Sequence, residues 1–218
     1  MHAQGFGLIA QEYVPGTAAD HYFIDGFRSR DGDLGGVFCR RRLRIHPPDF
    51  GNSSYCHSIP PHDTGNALRD LESLLHDLSY RGIFSAEFKR DARTGEFRLL
   101  EINTRAWWYV EFAARCGVNV CRMAWEDALG LPVTKSGKVR IGRGCVNLPA
   151  DLEAVRSQHL PLRAWPGIAR QWAHAHFHVF RLADPMPGLS AARVIARHVL
   201  GKFLRPSVRP QLAPPGND

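Results

Sequence analysis

The sequence predicts an α+β protein with a mostly antiparallel sheet and helices packed on it. Three observations support this class. Short segments of alternating polarity, separated by turns, fill about the first sixty residues. A helical period of apolar residues follows them. After that, strands and helices mix without the regular βαβ succession of a parallel sheet.

The N-terminal segments predict three strands and one helix. The strands are expected at Leu8–Val14, Asp20–Phe27 and Leu34–Ile45, and a loop rich in Pro, Gly and Ser follows from Pro47 to Ser54. Five leucines at three- and four-residue steps then predict a helix: Leu68, Leu71, Leu74, Leu75 and Leu78. Asp63 or Thr64 is its expected N-cap, and Gly82 its expected C-terminal stop.

The rest of the chain predicts a hairpin, several helices and short strands. Its elements are strands "IFSAEFKRD" and "FRLLEIN", helices at Val110–Arg115 and Cys121–Leu129, a strand at 138–148, helices near Asp151–Gln158 and Pro166–Trp172, a strand near Phe177–Leu182 and a helix at Ala191–Leu204. We expect a main unit over residues 1–148, a helical C-terminal extension over 149–205 that packs on it, and a disordered Pro-rich tail over 206–218.

Composition narrows the function classes without choosing one. The formal net charge of +7 fits an anionic partner, which could be a nucleotide, an acidic substrate, nucleic acid or a membrane surface. Five cysteines without a CxxC pair argue against a disulfide framework and a zinc ribbon. The N-terminus lacks signal-peptide character, and no apolar run has the length of a membrane helix. We therefore expect a cytoplasmic protein that does not associate with membranes.

The hairpin carries the most informative polar residues. Glu87 and Lys89 share one face of its first strand, and Glu101 and Asn103 share one face of its second. Folding the hairpin around Arg93–Gly95 places Glu87 opposite Glu101 or Asn103, depending on the register. Two facing carboxylates repel unless a cation lies between them, and carboxylate and amide oxygens are ligands that Mg²⁺ takes. The alternative is that Lys89 neutralises the pair on a solvated strand face.

With these residues identified, the sequence resembles the ATP-grasp superfamily, ligases that join a carboxylic acid to an amine or thiol through an acyl phosphate. "EFKRD…GEFRLLEINTR" looks like the family's paired-strand metal motif, and "QEYVPG" looks like the strand that contacts the adenine. The segments "FCRRRLRIHPPDFGNSSY" and "LSYRGIFSAEFKRD" look most like the D-aspartate-ligase and carboxylate–amine-ligase branch, and "ADPMPG" resembles a closing segment of that branch. The resemblance covers roughly residues 8–190.

The resemblance implies a role for each matching residue. Mg²⁺ (or Mn²⁺), bridging the β- and γ-phosphates of ATP, would be held by Glu87, Glu101 and Asn103, and Arg105 would steady the transferred phosphate or the tetrahedral intermediate. The expected nucleotide contacts are Gln11, Glu12, Tyr13, Val14 and, on the ribose, Asp20. The implied substrates are a small-molecule carboxylate and an amine.

The resemblance also implies that this chain is the C-terminal portion of such an enzyme. Family members carry a substrate-side domain and a glycine-rich loop with ATP-binding lysines upstream of the adenine strand, which here begins about ten residues after Met1. A separate chain could supply those parts, and a homodimer is compatible with the sequence. The alternatives are a non-catalytic remnant of the fold, an interaction module and, less favoured, a basic nucleic-acid-binding protein; nucleic acid is not the expected partner.

The basic strand adds two more candidate contacts. Arg40, Arg42 and Arg44 alternate on one face of the predicted strand. Either Arg42 and Arg44 clamp a phosphate or carboxylate beside the ATP site, which the resemblance supports weakly, or the three side chains form a solvated basic face. A nucleic-acid surface is a third interpretation, but the strand offers only Phe38 as an interleaved aromatic residue.

Overall fold

The structure, a computed structural model, describes residues 10–48, 50–158, 161–181, 183–193 and 197. A seven-stranded sheet with the strand order β5-β4-β1-β2-β3-β6-β7 forms the centre of the first compact unit, Met1–His178. Its strands are β1 His21–Arg28, β2 Leu34–His46, β3 Asn52–Ile59, β4 Gly82–Arg90, β5 Phe97–Asn103, β6 Gly144–Val146 and β7 Ala175–Phe177. All neighbouring strands are antiparallel except β6 and β7. The predicted α+β class with a mostly antiparallel sheet is confirmed.

Among the described residues of this unit, five α-helices accompany the sheet. They are α1 Ala67–Asp77, α2 Val110–Arg115, α3 Val120–Ala128, α4 Leu148–Ser157 and α5 Trp165–Ala173. In the second unit, Val179–Asp218, residues 186–193 are helical. Most of the helix predicted at Ala191–Leu204 and the whole predicted tail lie outside the described residues. The predicted domain boundaries stay predictions.

The two faces of the sheet have different partners. Opposite residues of an antiparallel pair point to the same face, so Ile24, Cys39 and Ala86 share one face, and helix α1 covers it with Leu71 and Leu75. On the other face, Phe27 and Phe38 of the sheet pack against residues of α2 and α3, among them Phe112, Val120 and Met123. That second face also carries a row of charged and polar side chains toward the start of β1.

Several predicted boundaries were wrong for local reasons. Residues 10–14 of the predicted first strand have no regular structure, and residues 8 and 9 lie outside the described residues. The predicted loop to Ser54 gives way to β3, which begins at Asn52 because its first residues pair with the end of β2 at Ile45 and His46. The strand predicted at 138–148 is reduced to β6, since Gly142 has a φ of 72° just before it. The strand predicted near Phe177–Leu182 lies earlier, at β7.

Helix α1 differs from its prediction at both ends. Its N-cap is Asn66, because Pro61–Thr64 forms a separate 3-10 turn in which the Thr64 hydroxyl donates to the Pro61 carbonyl at 2.6 Å. The helix ends at Asp77 because Ser79 takes a left-handed conformation with a φ of 48°. Gly82 therefore opens β4 and does not stop the helix.

Candidate active site on the hairpin face

The hairpin places the three predicted metal ligands on one face. Glu87 of β4 lies directly opposite Glu101 of β5, and Ser85 lies opposite Asn103. Facing Cβ atoms in such pairs are about 4.5–5.5 Å apart, so the two carboxylates are neighbours. The Asn103 amide donates from Nδ2 to Oε1 of Glu101 at 2.8 Å, which directs its carbonyl oxygen away from that bond. We call Glu87, Glu101 and Asn103 the carboxylate face.

Two basic side chains, on β1 and β2, hold Glu87. His21 Nδ1 of β1 donates to Glu87 Oε1 at 2.6 Å, and Arg42 Nη2 of β2 donates to the same oxygen at 3.2 Å. Burial raises the pKa of Glu87, but the hydrogen bond from His21 and the charge of Arg42 outweigh burial, so the pKa lies below its usual value. Glu87 is therefore an ionised carboxylate at neutral pH with its orientation fixed.

Lys89 does not play the neutralising role that the sequence left open for it. Its ammonium lies 5.0 Å from the centre of the Tyr13 ring, in a cation–π contact. In the part of the chain that the structure describes, the ion pairs of Glu87 run to His21 and Arg42 and not to Lys89. A second carboxylate, Glu101, faces Glu87 and is exposed.

The basic strand is buried and ion-paired, so the interpretation as a solvated basic face is wrong. Arg40 donates from Nε to Asp25 at 2.7 Å, and its guanidinium lies 3.7 Å over the Phe23 ring. Ser85 donates to the other oxygen of Asp25 at 2.6 Å. Burial raises the pKa of Asp25, while Arg40 and Ser85 oppose that effect. This pair leaves Arg42 as the arginine of the strand that reaches the carboxylate face.

The structure places Arg44 away from the carboxylate face, in a structural cluster. Its Nε and Nη2 donate to both oxygens of Asp151 at 2.8 and 2.7 Å, and its Nη1 donates to Gln171 at 2.7 Å. Asp151 also accepts from the Ser54 hydroxyl and the Trp172 indole. A guanidinium with three donors engaged ties β2 to α4 and α5. The nucleotide contact predicted for Arg44 remains untested.

The remaining predicted contacts lie on the segment before β1 and after β5. Gln11 donates to the Leu100 carbonyl of β5 at 3.3 Å, and Glu12 pairs with Arg93 at 3.3 Å. Val14 is buried and Tyr13 is mostly exposed. Residues 11–13 therefore contact the hairpin at β5, at its turn and at Lys89 of β4.

Asp20 and Arg105 have local partners. Asp20 accepts from the backbone N–H and the hydroxyl of Thr17 at 2.7 and 2.8 Å. Burial raises the pKa of Asp20, but these hydrogen bonds outweigh it and lower the pKa. Arg105 lies two residues beyond Asn103 along the chain and is exposed. Its Nη1 donates to the Ala106 carbonyl at 3.2 Å. Its guanidinium retains donors that face solvent.

Sequence reasoning missed His21. His21 lies on the carboxylate face because β1 pairs with β4 in a register that sets Phe23 opposite Glu87, and His21 and Phe23 share one face of β1. No local motif announces that pairing, because the two strands are separated by about sixty residues.

Comparison with known proteins confirms the sequence resemblance. No protein-family model matches the chain. D-aspartate ligase of Enterococcus faecium (strain Aus0004) is 23% identical over 120 residues, covering 55% of this chain and 28% of that protein. The resemblance to D-aspartate ligase is confirmed. The chain thus matches about a quarter of its relative's length. A match of this extent does not show that the chain has the activity of the whole relative.

Two solved structures overlap part of the chain. Biotin carboxylase from Campylobacter jejuni, in complex with β-γ-ATP, has a TM-score of 0.47 at 15% identity, covering 62% of this chain and 30% of that one. N5-carboxyaminoimidazole ribonucleotide synthetase from Thermotoga maritima has a TM-score of 0.42 at 17% identity, covering 62% of this chain and 34% of that one. Both are longer proteins that this chain matches in part.

No helix among the described residues combines the length and the apolar character that a membrane crossing needs.

The described residues contain no group of three or more His, Cys, Asp or Glu side chains arranged to hold a metal. The carboxylate face has only two such side chains, Glu87 and Glu101, because its third oxygen donor is the amide of Asn103.

Proposed function

We propose that this chain forms the ATP- and magnesium-binding portion of an ATP-dependent ligase that activates a carboxylate as an acyl phosphate and joins it to an amine or thiol. The observation that carries the proposal is the register of the hairpin, which sets Glu87 against Glu101 with Asn103 on the same face. The confirmed similarity to D-aspartate ligase supports the reaction class.

The donor set of the carboxylate face fits a divalent cation of the magnesium type. Both hydrogen bonds to Glu87 end on Oε1, which leaves Oε2 available among the described contacts. Asn103 uses its Nδ2 toward Glu101, so its carbonyl oxygen remains for a ligand. Three hard oxygen donors are a typical partial shell for Mg²⁺ that shares the remainder with phosphate and water.

In this proposal, Glu87, Glu101 and Asn103 would hold the metal. A bound Mg²⁺ would neutralise the charge on the phosphate oxygens of ATP. The protein's own residues fix the geometry: His21 and Arg42 hold the Glu87 carboxylate in one orientation from two separate strands. Arg42 would add a positive charge near a bound phosphate, and Arg105 would supply a planar fork that suits a phosphate or an acyl phosphate.

Calorimetric titration of the chain with ATP, in the presence and absence of Mg²⁺, tests the proposal. We expect binding that requires Mg²⁺ and that Glu101→Gln weakens by about tenfold or more, because one anionic ligand is lost. Glu96→Gln is the matched control, since Glu96 is an exposed carboxylate beside the turn of the same hairpin and pairs with Arg98. Binding that is absent in the wild-type chain, or equal in the two variants, would contradict the proposal.

A further inference from the structure

A cavity lies at the end of β1 that is opposite to the carboxylate face. It has a volume of about 300 Å³, is partly open to solvent, and lies between helix α1 and the turn that joins β1 to β2; Arg28, Asp33, Glu72 and His76 are among its lining residues. We call it the Arg28 pocket. Arg28 is seven residues along β1 from His21, about 23 Å at the usual rise of a strand, so the pocket is separate from the carboxylate face.

The pocket contains a buried guanidinium, Arg28, for which no ion pair to a described residue is found within 4.0 Å. The residue Arg28 is 8% exposed, and its Nε donates to the Gly32 carbonyl at 2.8 Å. Its Nη1 is buried and has no hydrogen-bond partner among the described residues. A buried guanidinium donor that has no hydrogen-bond partner is unfavourable. An anionic group in the pocket would remove that cost.

The surrounding charges decide which anion fits. Two carboxylates, Asp33 and Glu72, line the same cavity. Asp33 forms a long ion pair of 3.9 Å with Lys135, whose side chain is exposed. A phosphate or another multiply charged anion would be repelled by the two carboxylates. A carboxylate that carries an ammonium group close by would pair with Arg28 and present its cation to Glu72 or Asp33.

We propose that the Arg28 pocket binds a small zwitterion of the amino-acid type, with its carboxylate on Arg28 and its ammonium toward Glu72. The volume lies at the lower end of the range of small-molecule sites, which suits a ligand of that size. The proposal does not depend on the function of the carboxylate face, because the two sites share no side chain.

Amide chemical shifts of the full chain measure the binding, with glycine, acetate and methylammonium as probes at one ionic strength. We expect glycine to move the amide signals of Gly32 and Leu34, which line the pocket, in a saturable way and to bind about tenfold or more tightly than either single-charge probe. Arg28→Met should abolish the shifts. Glu72→Gln should weaken glycine to the level of acetate, because only the ammonium contact is lost.

Two further measurements keep the test decisive. Glu72 is exposed on α1, so Glu72→Gln should fold even if Arg28→Met does not. Glu153→Gln, an exposed carboxylate on α4, should leave glycine binding unchanged. The proposal is overturned if glycine produces no saturable shift, if acetate binds wild-type protein as tightly as glycine, or if Glu72→Gln leaves the preference for glycine intact.

Discussion

Replacing Asp151 by alanine should destabilise the protein strongly. The Asp151 carboxylate is completely buried and accepts two hydrogen bonds from Arg44, one from Ser54 and one from Trp172, all between 2.7 and 2.8 Å. Asp151→Ala leaves the Arg44 guanidinium, whose side chain is 9% exposed, as a buried charge without its partner. Breaking a buried pair in this way costs about 3–5 kcal/mol, a large part of the total stability of a typical domain, which is about 5–15 kcal/mol.

Urea unfolding followed by circular dichroism measures this loss. The control is Glu153→Ala, which removes an exposed carboxylate of α4 whose contact with Arg156 is 3.8 Å long, and which should change the free energy of unfolding by less than about 0.5 kcal/mol. The double variant Arg44→Met/Asp151→Leu should recover much of the loss, because it removes both charges together. A loss below about 1 kcal/mol for Asp151→Ala would refute the reasoning.

Two other predictions concern the backbone and the ion pair between Arg93 and Asp91. Gly26→Ala should lower the free energy of unfolding by about 1–3 kcal/mol, because the new Cβ would lie 2.5 Å from the Phe84 ring and 2.8 Å from a backbone oxygen. Gly167→Ala is the control in the same urea experiment. Because no atom lies near its Cβ position in α5, this variant should be neutral or stabilise the protein by up to about 1 kcal/mol. Side-chain and backbone hydrogen bonds from Arg93 lower the pKa of Asp91 to about 2 from 3.8, so this carboxylate stabilises the fold above about pH 4 and loses that contribution as the pH falls through 2. Arg93→Gln should raise the pKa of Asp91 in a carboxyl NMR titration, and an unchanged titration midpoint would contradict the assignment.

Local patterns predicted the hairpin and its polar face. The alternation of residues in "FSAEFKRD" and "RLLEIN", joined by a short polar turn, restricted the pairing to two registers, and the structure has the one with Glu87 opposite Glu101. Helices α2, α3 and α4 were predicted within about three residues at each end, because their apolar spacing and terminal residues are local signals.

Partners that are distant in sequence could not be predicted. Arg44 and its partner Asp151 are separated by 107 residues, and no periodicity relates them. His21 reaches Glu87 only because β1 lies between β2 and β4, an order that depends on the packing of the whole sheet. Strand β3 was missed because its serine-rich sequence is a weak strand signal, and its two neighbouring strands override that preference.

The position of a bound divalent cation tests the central claim most directly. Mn²⁺ added with ATP to the isotope-labelled chain should broaden the amide signals of β4 and β5 around Glu87, Glu101 and Asn103, and leave those at the Arg28 end of β1 sharp. Glu101→Gln should remove most of that broadening, whereas Glu96→Gln should preserve it. Broadening that is centred elsewhere, or that persists in Glu101→Gln, would contradict a metal site on the carboxylate face.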